Sequence, residues 1–198
     1  MSTMNLRLTT TLLLVVLAMS GCASDEDVPE DQALRPASAP SGWTTNDLGP
    51  VSVATPAEWE KQPPAKPTQT MTTTTWRAKE VDGTSPGGME VRVITKPQQG
   101  AKKAAQALAV SAMASLAGGD IEPEKIVWPN AELAYYLAYT AKVPVETDPA
   151  APKKSYIART AVFDLADGSQ IQVTALVDEA QGAKVPEQAL STVKFAES

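Results

Sequence analysis

Few residues in this chain of 198 have the chemistry for catalysis, and their spacing narrows the choice further. Glu58 and Glu60 flank Trp59, and on a strand two carboxylates two apart share a face, as an acid and base pair would require. Such a pair needs separated pKa values, one carboxyl being kept protonated by an apolar pocket. Nothing in the sequence supplies one, so Trp59 reads as a core or rim aromatic between solvated acids. Glu90 and Asp164 complete the set of candidate carboxylates. Ser155 beside Lys153 and Lys154 has the parts of a Ser-Lys nucleophile. However, Pro149-Ala150-Ala151-Pro152 reads as a mobile turn, a poor support for a rigid site. The acids Asp25-Glu26-Asp27, Glu30 and Asp31 lack the glycine turn that shapes a calcium loop, so no metal site is expected.

Histidine is absent. That removes Ser-His-Asp and Cys-His nucleophiles, histidine-ligated haem and most zinc sites. No catalytic residue is assigned and no cofactor is expected. The formal charge is -6. Lys102-Lys103 and Lys153-Lys154 are the main basic runs, which argues against nucleic acid as a partner.

Cys22 is the single cysteine, directly behind a short apolar segment. Arg7 and the free amine supply the positive end of that leader, Leu12 to Met19 form its greasy stretch, and Ser20-Gly21 present small residues for cleavage. The stretch is much shorter than the roughly 20 apolar residues of a spanning helix. In Leu17-Ala18-Met19-Ser20-Gly21-Cys22 the chain resembles bacterial lipoproteins and their Leu-small-Gly-Cys lipobox, with Met19 in the usual leucine position. The resemblance implies a diacylglyceryl thioether on Cys22, a further palmitate-type chain, and a cell-membrane anchor on the extracytoplasmic face. Two or three acyl chains hold where one is marginal, at ~0.8 kcal/mol per buried methylene. Residues 1–21 are then a lipoprotein signal peptide. Residues 22–42, rich in Pro, Ala and acid without apolar period, read as a disordered tether.

Residues 43–198 suit one domain. Alternation dominates them. Leu133, Tyr135, Leu137, Tyr139, Ala141 and Val143 share one parity; Ile157, Ala161, Phe163 and Leu165 share another, interrupted by Arg159; Ile171 to Val177 make a third strand. Asp167-Gly168 between the last two predicts a tight hairpin. Thr70–Ala78 is expected to pair with the strand at Met89–Val93. A helix is predicted from Ala101 to Ala117, ended by Gly118-Gly119, and a shorter one from Pro186, followed by a strand at Thr192–Ala196. Strands and helices do not alternate strictly, which predicts α+β with a largely antiparallel sheet.

The entry Val51-Ser52-Val53-Ala54-Thr55-Pro56-Ala57-Glu58-Trp59, the mid-chain helix, and the close Val185-Pro186-Glu187-Gln188-Ala189-Leu190-Ser191-Thr192-Val193-Lys194-Phe195 resemble the PsbP-like α/β/α sandwich. That family includes actinobacterial lipoproteins of the LpqN type. The resemblance implies binding or accessory roles, with no enzyme activity and no catalytic residue to carry over.

The functional expectation is a lipid-anchored envelope protein that binds a partner protein or small apolar ligand. The alternative is a carboxylate-dependent hydrolase of cell-envelope polymers using Glu58, Glu60, Glu90 or Asp164, which needs two carboxylates about 5–9.5 Å apart. A solute receptor for a transporter fits poorly, since one small domain lacks a two-lobed clamp. For binding, Tyr136 faces away from the apolar parity of its strand. It packs under a helix if one covers that face; otherwise it borders a shallow surface with Trp128. Trp43, where tether meets domain, is a third candidate.

Overall fold

The computed structural model describes residues 28–81, 85–115, 121–144 and 153–196. Cys22, the leader, the acids at 25–27, and the turns at 118–119 and 149–152 lie outside the described residues.

The chain begins with β1 (Trp43–Asp47), β2 (Val51–Pro56), β3 (Glu60–Lys61), β4 (Met71–Arg77) and β5 (Gly87–Ile94), followed by α1 (Ala101–Ser115). Next come β6 (Glu124–Ile126), β7 (Leu133–Pro144), β8 (Lys153–Asp164), β9 (Gln170–Asp178), α2 (Lys184–Ser191) and β10 (Lys194–Phe195). A seven-stranded sheet runs β3-β4-β5-β9-β8-β7-β6, and a three-stranded sheet runs β1-β2-β10. Every pairing is antiparallel. The fold is α+β. Among the described residues no helix is long and apolar enough to cross a membrane.

Elements pack on both faces of the large sheet, and the side-chain period of two decides what lies on each. On one face Tyr135, Leu137 and Val162 pack against Ala101, Ala104, Ala105 and Ala109 of α1. On the other, Met89, Val91, Phe163, Ile171 and Val173 meet Val51 and Val53 of β2, Leu190 of α2 and Phe195 of β10. This second core is the larger one. It lies on the Tyr136 side of β7, opposite the parity that the sequence marks as apolar. Both parities are buried there because Ala134 and Tyr136 supply one face and Tyr135 and Leu137 the other.

Two local expectations change. First, the β8–β9 hairpin is not a two-residue turn with positive φ at both positions. Gly168 alone is left-handed, at φ 79°. The Gly168 N–H reaches Leu165 O at 3.0 Å and the Leu165 N–H reaches Ser169 O at 2.9 Å, a longer bulged turn. Asp167 stabilises it by accepting from the Ser169 N–H and Oγ at 2.9 and 2.6 Å, which holds its carboxyl below the usual range.

Second, packing begins well before residue 43, inside the stretch expected as a disordered tether. Val28 and Leu34 are buried, Leu34 within the larger core. Gln32 clamps the backbone of Val127: its Oε1 accepts the N–H at 2.9 Å and its Nε2 donates to the carbonyl at 3.1 Å. The Ala37 N–H reaches Ser191 O at 2.7 Å. Lone aliphatics in a proline-rich stretch have no period, so their burial leaves no pattern in the sequence.

Candidate functional site

α1 crosses only part of its sheet face. Its buried stripe is alanine, which lets it sit close over β7 and β8 but gives it little reach. Over β4, β5 and β9 the same face stays open, and a groove of about 530 Å³ lies there. That volume falls within the range of small-molecule sites.

Register fixes the floor. Thr75, Glu90 and Thr174 form one cross-strand row; Arg77, Gly88 and Leu176 form the next. Arg92 pairs with Gln172 in the row on the other side. Arg92 Nε bonds Glu90 Oε1 at 2.7 Å, with both side chains more than a third exposed. Thr174 and Thr160 share a hydroxyl hydrogen bond at 3.0 Å. Leu108 of α1, Val143 and Tyr156 form an apolar corner beside Leu176. Tyr156 Oη donates to Ser85 O at 3.2 Å, which fixes the ring. Behind it Lys154 bonds Asp178 at 2.6 Å, holding that carboxyl below its ordinary range.

The aromatics expected at a binding surface lie elsewhere. Tyr136 is 5% exposed and Trp128 4%, both in the larger core, so neither borders an open surface. Trp128 Nε1 donates to Val193 O at 3.1 Å, and its ring lies 5.3 Å from that of Phe163. α2 and the small sheet close this face, and burial pushes the Tyr136 phenol up to about 12. Trp43 is half-buried against the same core.

The four carboxylates are dispersed. Glu58 and Glu60 are exposed around edge strand β3. Asp164 caps α1 by accepting the Ala101 N–H at 2.7 Å. Glu90 alone lines the groove, paired with Arg92. Among the described residues no group of three or more His, Cys, Asp or Glu could hold a metal ion.

Sequence reasoning missed Thr75, Arg92, Gln172 and Thr174. The signal was present: β5 and β9 alternate apolar with polar residues, whereas β7 is apolar on both faces over residues 133–139 and β8 is apolar over residues 161–163. A sheet face that is polar in two strands and apolar in the next two marks where a covering helix stops.

No protein-family model matches the chain, and no curated protein matches it. Among solved structures, one from Bacteroides thetaiotaomicron is similar at 11% identity and a TM-score of 0.44. The match covers 75% of this chain and 46% of that one, so this chain spans less than half its length. So distant a likeness carries neither fold detail nor function across.

Proposed function

We propose that this protein is a lipid-anchored binding module of a bacterial envelope, with a PsbP-like domain that holds a small ligand in the groove over β4, β5 and β9. The open half of the α1 face carries this reading. A sheet face lined by hydroxyls, an amide and an ion pair, beside an apolar corner, is built to hold a molecule. The positions of the carboxylates favour binding over hydrolysis: Asp164 caps a helix and Glu90 is neutralised by Arg92. The PsbP-like assignment draws support from helices on opposite faces of an antiparallel sheet and from the closing order β9, α2, β10.

Attachment rests on Cys22 and its lipobox context. Because Val28 is already buried, the chain between Cys22 and Val28 spans at most about 20 Å. The anchored domain then sits close above the headgroups rather than at the end of a long tether.

Two measurements test this. Cys22→Ser should release the protein from membranes, and continued retention would contradict the anchor. Native mass spectrometry of protein purified from its own membranes should find a bound small molecule that Thr174→Trp, which fills the groove, abolishes. Protein that carries no ligand, or a ligand retained by Thr174→Trp, counts against the groove.

A further inference from the structure

We infer that the β6–β7 edge of the large sheet is the surface this protein turns toward its membrane, so that the groove opens clear of the bilayer. This rests on the reading of Cys22 as the point of lipid attachment and adds the face that the attachment presents. The first observation is where the chain enters the fold. Val28 is already buried, so the reach from the lipidated sulfur is at most about 20 Å. Gln32 holds both backbone groups of Val127, and the Ala33 N–H reaches Glu124 Oε1 at 3.4 Å. Glu124 opens β6 and Val127 follows it, so the chain arrives at the last strand of the large sheet. From there it runs toward α2, where the Ala37 N–H meets Ser191 O, while α1 lies on the opposite face. The entry edge is therefore the part of the domain held nearest the headgroups.

The two sheet edges are the second observation. An unpaired edge is a template for other chains unless charge, proline or a cover blocks it. The β3 edge carries its own block: Glu60 and Lys61 are exposed, and Pro63, Pro64 and Pro67 follow. On the other side β6 pairs with residues 134–136 of β7 alone. Among the described residues no further strand pairs with the outer edge of β7 over residues 137–143, where Lys142 is the single charged side chain. A bilayer surface along this edge supplies the missing cover. Val127 and Leu133, 41% and 38% exposed, place apolar side chains beside it. The exposed Glu122, Glu124 and Glu132 keep the contact at headgroup level, since a carboxylate is costly any deeper.

Strand spacing sets the consequence. Neighbouring strands lie about 4.8 Å apart, so β9, β5 and β4 stand about 14, 19 and 24 Å from β6. The groove lies over those three strands, in the half of the sheet remote from the anchored edge. Its mouth then meets the envelope space and not the anchoring bilayer.

The test uses the lipidated protein, purified from its own membranes and reconstituted in phosphatidylcholine vesicles that carry a rhodamine-headgroup lipid. Cys22 is the single cysteine and on this reading is held in a thioether, so one introduced cysteine takes a nitrobenzoxadiazole label selectively. Val127→Cys and Leu133→Cys report on the entry edge, Glu60→Cys and Thr72→Cys on the far one; all four positions are exposed, and two per edge guard against a variant that misfolds. Energy transfer to the headgroups should be about twofold or more stronger from the entry edge, given some five strand spacings between the two. Equal transfer from both edges, or stronger transfer from the far one, overturns the orientation while the anchor stands. Failure of the wild type to float with the vesicles overturns the anchor on which the orientation rests. Disulfide-linked dimers of Ala138→Cys in these vesicles would put a second copy against the β7 edge and likewise overturn it.

Discussion

The carboxylate of Asp164, at the end of β8, caps α1: its Oδ2 accepts the Ala101 N–H at 2.7 Å. Its Oδ1 accepts from Gln170 Nε2 at 2.9 Å, and Gln170 is 1% exposed. α1 has no acid in its own first turn. The neighbouring strand therefore supplies the negative charge that favours a helix N-terminus. The same contact fixes where α1 starts.

Asp164→Ala should lower the unfolding free energy by roughly 2–3 kcal/mol, about 1 for the cap and the rest for the Gln170 amide left short of a partner. Asp164→Asn keeps an acceptor and should lose less. Urea denaturation reads both. An alanine variant as stable as wild type would mean that packing alone places α1.

Arg159 interrupts the apolar parity of β8 because α2 brings Glu187 to meet it. Nε and a terminal guanidinium nitrogen reach Glu187 Oε1 at 3.1 and 3.0 Å, and the Arg159 side chain is only 14% exposed. Glu187→Ala leaves a largely buried guanidinium without its carboxylate and should cost about 1–3 kcal/mol. Arg159→Met removes the buried charge and fills similar space, so it should cost less. Chemical denaturation of both variants and the double mutant gives the coupling; a costlier Arg159→Met would reverse this account.

Much of this architecture is legible in the residues. Alternation from Leu133 to Val143 and from Ile171 to Val177 marks central strands, and polar residues between Met89, Val91 and Val93 mark a face open to solvent. Tyr136 is ambiguous for a physical reason: in β7 both parities are apolar, so the pattern shows that both faces are covered without showing by what. The groove needs the pairing of β4, β5 and β9, which brings Thr75, Glu90 and Thr174 together from distant parts of the chain. Leu34 is the extreme case, since a single apolar residue has no period and only its docking site explains it.

Leu34 tests whether residues 28–42 belong to the domain. It is 3% exposed within the larger core, whereas a tether residue would contribute nothing to stability. Leu34→Ala should destabilise by roughly 2–4 kcal/mol through lost burial and the cavity left behind. Arg35→Ala, at an exposed neighbour, should change little. Equal melting temperatures for Leu34→Ala and wild type would return this segment to the tether.

Tyr136 gives the fold an alkaline limit. Burial raises its phenol to about 12; Arg159 beside it pulls the other way, and the Glu187 and Glu124 carboxylates push it further up. An unperturbed tyrosine titrates near pH 10. Between those values the unfolded chain releases a proton that the folded chain retains, so unfolding becomes more favourable as pH rises. The stabilisation is complete below about pH 10 and is lost as pH climbs toward about 12. Tyr136 should then ionise late in a near-ultraviolet tyrosinate titration, and Tyr136→Phe should remove that late phase. The same variant should lose less stability across this alkaline window than wild type, since lysine and arginine titrations are common to both proteins. If wild type and Tyr136→Phe decline in parallel between pH 10 and 12, the buried phenol is not what limits the fold in alkali.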